Sequence, residues 1–264
     1  MVESPHYLVE SDLSRAWARA FLAAMEPGVD EISPLCVAVM GLDEGRPAEE
    51  TGIREALNGT LAAHDKLPVH TVANTIFPRS RWKPELGHER LFERYVKMLP
   101  MIKKADPHRN RNGTYFERMT AFGPDKINQL EHIIDTYVGG NRRRSALQAV
   151  IFDPAKDHTD QPQRGFPCLQ YVSFAPFDGT KLRVTGVYAT QYLFEKAYGN
   201  YLGLYDLGRF MAHELGLELA QLNCIASVAK RGAPSKKSLR DLASELEGFL
   251  NGSEGETSIH GAVA

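Results

Sequence analysis

The 264-residue sequence predicts an α+β domain in which helices pack on a mixed β-sheet. Three observations carry the prediction. Amphipathic runs at helical spacing bracket the chain, "SDLSRAWARAFLAAME" near its start and "SKKSLRDLASELEGFL" near its end. Between them lie apolar runs with strand character, "SALQAVIFDP", "PCLQYVSFAP", "KLRVTGVYATQ" and "AQLNCIASVAK". No internal repeat and no shift of composition marks a linker, so one domain is expected over residues 1–251, with 252–264 fraying as a disordered polar tail.

The other elements follow in order. The first helix spans about 12–25, with Ser11 or Asp12 as N-cap and a Pro-Gly stop. "SPLCVAVMGL" reads as a buried strand and "EETGIREALNGTLAAHD" as a helix weakened by Gly59. "VHTVANTIF" alternates as a strand stopped by Pro78. "HERLFERYVKMLPMIKK" is a charged-faced helix interrupted near Pro100, and "PHRNRNGTYFERMTAF" is loop and then strand-like. "PDKINQLEHIIDTYV" has proline at its start and Gly139-Gly140 at its end, the asymmetry of a helix, and 195–219 reads as one long helix.

A hydrophobic content of 43% over this length can bury a sizeable core. A net charge of -2 excludes wholesale attraction to nucleic acid or anionic membrane, so phosphate binding has to be local. Three separated cysteines, Cys36, Cys168 and Cys224, make neither a disulfide framework nor a zinc site, which fits a reducing cytoplasm. The acidic start lacks the pattern of a signal peptide, and no apolar run has the length of a membrane span, so a cytoplasmic protein without membrane contact is expected. Dinucleotide, P-loop, zincin and nucleophile-elbow motifs are missing. Asp153, Asp157 and Asp160 in "DPAKDHTDQ" could hold a cation, although a solvated loop accounts for them better; no metal is expected.

Cys168 stands directly after a proline at a strand start, in "QPQRGFPCLQYVSF", either as an inert core residue or as a nucleophile. Around it the order is "NQL" at 128–130, "RRR" at 142–144, "FDP" at 152–154, "PC" at 167–168, "VYATQ" at 187–191 and "GNYLGLYDLGRFMA" at 199–212. This order resembles the thymidylate synthase and pyrimidine hydroxymethylase family over roughly residues 110–230. That family has Asp-Gln-Leu, an Arg pair, Trp-Asn-Pro, the catalytic Pro-Cys, and an Asn opening a long helix that closes in Met-Ala. Upstream, Gly113 and Arg118 of "NGTYFERM" match its Tyr-Gly-x-x-x-Arg strand.

The resemblance implies a thymidylate synthase-like fold and a homodimer. It implies methyl or hydroxymethyl transfer to C5 of a pyrimidine mononucleotide or nucleoside, with 5,10-methylenetetrahydrofolate as donor. Cys168 would add to C6, a task suited to a thiolate. Arg164 and the arginine cluster would lower its pKa if they lie close. Arg142, Arg143 and Arg144 would reach phosphate across the dimer, or form a solvated turn. Asn200 would read the pyrimidine edge, favouring uracil, or cap its helix. Gln191 falls at the family's substrate-binding strand end, and Glu55 corresponds to its early acid/base.

The departures are also specific. The family's His after the cysteine is Leu169, and the arginine of its strand end falls among Ala189, Thr190 and Gln191. Arg111 is a substitute for that phosphate contact by its chemistry, with Arg79 and Arg81 as others. The His-x-Tyr that contacts sugar is missing near "NCIASVAK", and the stretch after it is shorter than the family's folate-covering segment. Two alternatives stand beside the enzyme: a catalytically inactive relative that binds nucleotide or protein, and, more weakly, an RNA binder using "HRNRNG" and "NRRR".

Overall fold

The computed structural model describes residues 5–45, 48–108, 110–158, 160 and 167–257, with side chains as far as 252. Among these residues the strands are β1 (His6–Glu10), β2 (Glu31–Ile32), β3 (Leu35–Met40), β4 (Gln148–Val150), β5 (Leu169–Phe177), β6 (Lys181–Tyr192) and β7 (Glu218–Lys230). The helices are α1 (Leu13–Met25), α2 (Thr51–Ala63), α3 (Val69–Ile76), α4 (Gly87–Ala105), α5 (Tyr115–Thr120), α6 (Gln129–Val138), α7 (Pro154–Asp157), α8 (Tyr198–Glu214) and α9 (Arg240–Thr257).

The strands form one sheet in the order β1-β3-β7-β6-β5-β4, with the short β2 also on β7. It is mixed, because β1/β3 and β6/β7 run parallel while β3/β7, β6/β5 and β5/β4 run antiparallel. Strand alternation sends Val37, Val39, Val172, Phe174, Val184, Tyr188, Leu222, Cys224 and Ala226 into the core. Helices α1 and α8 cover that face. The opposite face is open, leaving Tyr7 71%, Val9 67% and Met40 48% exposed.

The N-cap expected of α1 is Asp12, whose side chain accepts from Arg15 N at 2.8 Å. Fully buried Trp17 stacks on Phe21 and donates its indole N–H to Leu193 O at 2.8 Å. Helix α8 lies against α3 through Gly199 and Gly203. A Cβ at Gly199 would sit 2.5 Å from Val72 Cβ, and one at Gly203 2.8 Å from Ala73 O. Only hydrogen at these positions lets the two backbones approach so closely.

Several expected elements differ. Residues 69–76 are helical, not a strand, because Val69, Val72, Ala73 and Ile76 bury one helical face and Asn58 Oδ1 accepts from Val69 N. The strand-like "TYFERMT" is α5, started by Thr114, whose hydroxyl accepts from Glu117 N at 3.1 Å. Helix α4 runs through Pro100 without a break. Helix α6 begins at Gln129, capped by Asn128, several residues after the expected Pro124 start. The long helix at 195–219 is a π-helical turn over Leu193–Ala197, then α8, and its last residues already belong to β7. Helix α9 continues to Thr257, where a frayed tail was expected, and residues 258–264 lie outside the described residues. Strands β1 and β2 were not anticipated.

Candidate functional site

The family-like motifs first prove to be connectors. Asn128 Oδ1 accepts from Glu131 N to cap α6, and the Gln129 amide pairs with both backbone groups of Val150, donating to its O and accepting from its N, each at 2.8 Å. One amide side chain thus completes the exposed edge of β4 as a neighbouring strand would. In "FDP", Asp153 caps α7 by accepting from Ala155 N, and Pro154 takes the first helical position. Arg118 donates to both carboxylate oxygens of Asp157 at 2.5 and 2.9 Å, and to Asn112 O and Ile151 O. Asp153 and Asp157 are therefore engaged in caps and pairs. Among the described residues no group of three or more His, Cys, Asp or Glu is placed for a metal ion.

These ties hold α5 against the start of β5, where Cys168 sits half-buried directly after buried Pro167. Cys168 O accepts from Ala189 N at 2.9 Å, and the Gln170 amide donates to Pro167 O at 2.6 Å. The ladder shifts register between Leu169 and Tyr171, an irregularity of the kind that re-aims side chains at strand ends. The phenol of Tyr115 on α5 lies by the backbone of Cys168 and Leu169, and burial pushes its pKa up. Burial pushes the Cys168 thiol up, and the Lys196 ammonium pulls it the other way. Lys196 belongs to the π-helical turn ahead of α8, a distortion that recurs at functional sites.

Inward from Cys168 the core becomes polar. Tyr188 faces Leu169 across the β5/β6 ladder and lies within electrostatic reach of Cys168, Tyr115, Tyr201 and Cys224. Gln191 Nε2 donates to Cys224 Sγ at 3.4 Å. Burial pushes that thiol up to about 12, so it stays protonated. The hydroxyls of Tyr188 and Tyr201, both 0% exposed, and Gln191 Oε1 are buried without a hydrogen-bond partner among the described residues. Burial also holds both phenols well above their usual pKa, leaving them neutral donors. Buried polar groups are nearly always paired, by water or ligand where protein does not reach.

Helix α8 brings Asn200 to the same place. Its Gly208 meets Val184 and Leu204 packs on Gly186, so one turn earlier Asn200 lies over the Tyr188 end of β6, 5% exposed. Asn200 is inside the helix, two residues after its first, and so does not cap it.

Cys168 lies within electrostatic reach of Tyr188, and Gln191 is tied to Cys224, whereas the other expected residues lie elsewhere. Glu55 is exposed on the outer face of α2, away from the buried Ile53, Leu57 and Leu61. Arg111 is exposed between α4 and α5. Arg144 donates to Pro176 O at 2.9 Å, at the far end of β5 and about 26 Å from Cys168 at ~3.3 Å per residue. Arg142 lies over the Tyr137 ring, 5.3 Å from its centroid, and Arg143 is exposed on the same turn. These arginines thus do not depress the thiol pKa within the chain. Arg79 is 3.6 Å from Asp206 on α8, and Arg81 is exposed. Arg164 lies outside the described residues.

Tyr115, Tyr188, Tyr201 and Lys196 were not singled out from the sequence. The signal available for Tyr188 was its phase in β6, where a hydroxyl shares the core-facing side with Val184 and Gly186.

Compared with models of known protein families and with curated proteins, the chain matches none. Among the described residues no helix is long and apolar enough to cross a membrane.

Proposed function

We propose that the chain is a Cys168-dependent enzyme that activates C5 of a pyrimidine nucleotide or nucleoside for methyl or hydroxymethyl transfer. The observation that carries the reading is the half-buried thiol within electrostatic reach of Tyr188, whose buried hydroxyl, like Tyr201 OH and Gln191 Oε1, has no partner among the described residues. A pyrimidine presents complementary carbonyl and N–H edges, and buried Asn200 adds a further donor and acceptor. The thiolate adds to C6, electron density moves onto C5 and O4, C5 takes up its electrophile or a proton, and loss of the C5 proton expels the thiolate. Lys196 is the cation that favours the thiolate.

The first of two tests needs no donor. Incubation with dUMP in deuterium oxide should exchange the C5 hydrogen, and a 5-fluoropyrimidine nucleotide plus methylenetetrahydrofolate should add its mass to the protein. Cys168→Ser should abolish both. Neither exchange nor adduct with uracil or cytosine nucleotides would refute the reading.

The open sheet face supports a homodimer. By register Tyr7, Cys36, Ile225, Val187, Tyr171 and Val150 form one apolar row across six strands. Pairing two such faces would cover the row, and Arg142, Arg143 and Arg144 at the β4/β5 edge would be offered to the partner's site. Sedimentation should give a dimer and Val187→Lys a monomer; a monomeric wild type at micromolar concentration would overturn this part.

A second reading, a catalytically inactive nucleotide binder, draws on the upward-shifted thiol and the remoteness of Glu55. It predicts that Cys168→Ser keeps wild-type nucleotide affinity while wild type shows no exchange.

A further inference from the structure

At the other end of the sheet lies a half-open cleft of about 350 Å³ that the Cys168 chemistry does not use. Seven residues of β6 separate Lys181, beside this cleft, from Tyr188, about 23 Å at ~3.3 Å per residue. One wall is Trp82 and Pro84, from the segment between α3 and α4. The facing wall is a single stripe of α8, with Tyr205, Arg209, Ala212 and His213. Leu42, Leu217 and Leu219 close the apolar floor. The volume is that of a small-ligand site, and two aromatic side chains with aliphatic neighbours suit a flat ring.

The charges on the lining give the polarity of the ligand. The two lining carboxylates, Asp43 and exposed Glu218, both face Lys181, which pairs with Asp43 at 2.8 Å and lies within electrostatic reach of Glu218, and outside the mouth Glu214 is held by His88 at 2.8 Å. Among the described residues no carboxylate lies within 4 Å of Arg209, although Asp206 on its own helix is within electrostatic reach. Its guanidinium lies over the Tyr205 ring, 5.8 Å from the centroid, and no described acceptor takes its N–H groups. His213, one turn on, meets the edge of Trp82 and likewise has no hydrogen-bond partner among the described residues. The Trp82 indole N–H in the wall is itself buried and unpartnered. A guanidinium stacked on an aromatic ring, with its fork left free, is arranged to take a planar anion.

We propose that this cleft is a binding site for a small aromatic or heteroaromatic anion, one or two fused rings carrying a carboxylate or phosphate. The ring lies on the apolar lining beside Tyr205 and Leu217, and Arg209 and His213 receive the charge. The site is independent of Cys168.

The test is calorimetric titration of the full chain with 2-naphthoate and with its neutral isostere 2-naphthamide. Naphthoate should bind once per chain and about ten-fold or more tighter than the amide, the increment expected of one charge-assisted hydrogen bond. Arg209→Gln, at an exposed position, should bring naphthoate to the affinity of the amide while the far-UV circular dichroism stays that of wild type. Leu217→Trp, which enlarges a half-buried lining residue, should remove both, and Cys168→Ser should leave both unchanged. Phenyl phosphate in place of naphthoate tells carboxylate from phosphate preference. No saturable binding of any probe, equal affinity for acid and amide, or a preference that survives Arg209→Gln overturns the assignment. A change with Cys168→Ser overturns its independence.

Discussion

Asp157→Asn should be among the most destabilising conservative changes in this protein. The Asp157 side chain is 3% exposed and that of Arg118 11%. The carboxylate accepts both guanidinium bonds and also Asp153 N at 2.8 Å. Asparagine keeps one acceptor for the backbone but turns an N–H₂ and no charge toward Arg118. Leaving a buried guanidinium without its counter-charge costs about 3–5 kcal/mol, or about 6–20 °C in Tm for a domain of this size. Urea unfolding of the full chain measures the loss as a fall in midpoint at constant m-value. Burial alone would raise the Asp157 pKa, but the Arg118 hydrogen bonds and charge, with the Asp153 N–H, outweigh it and hold the carboxyl below its ordinary value. For such a depressed acid the stabilisation is complete above about pH 4 and is lost as pH falls through the folded value, so the variant should lose this acid limb. Arg118→Met combined with Asp157→Asn should recover part of the loss, since it removes the stranded charge. A single variant within about 1 kcal/mol of wild type, or a strictly additive double variant, would refute the argument. The same substitution loosens α5 and Tyr115, so alkylation of Cys168 should change as well.

Four further outcomes are expected. Iodoacetamide labelling of Cys168, followed by intact mass, should require higher pH than an ordinary cysteine, and Lys196→Met should move the profile higher still, while Cys224 stays unlabelled in native protein. Tyr188→Phe should leave stability unchanged or slightly raised by thermal melt, because the hydroxyl has no partner, yet weaken pyrimidine binding in a nucleotide titration. Gly199→Ala should destabilise by about 1–3 kcal/mol in urea, as its Cβ would meet Val72. Asp206 is raised to about 6, mainly by burial, with Arg79 and Arg209 opposing. A raised acid opposes folding once ionised, so Asp206→Asn should gain about 2–3 kcal/mol at pH 7.5 and nothing near pH 4, read as Tm across pH.

Local signals in the sequence were enough wherever one short-range rule decided the outcome. The Asp12 cap, the apolar stripe of α1, the alternation of β3, β5 and β6, and the Pro-Cys junction at the head of β5 all depend on neighbours within a few residues. "VHTVANTIF" was ambiguous, because its apolar positions satisfy a period of two and a period of 3.6. Packing of α3 against Gly199 and Gly203 chose the helix. The Thr114–Glu117 capping box was present in the sequence but was outweighed by the aromatic character of "TYF".

The sequence by itself determined that helices alternate with strands, that Cys168 stands at a strand start behind proline, and that Gln191 and Asn200 are candidates beside it. Only tertiary structure decided which groups meet. The pairing of β5 with β6 sets Tyr188 within reach of Cys168, and the antiparallel return of α8 carries Asn200 over the Tyr188 end of β6. The same geometry sends Arg144 to the far end of β5 and Glu55 to an outer surface. Proximity between residues far apart in the chain is fixed by register and helix crossing, which arise from the whole packed core and are not encoded at any one position.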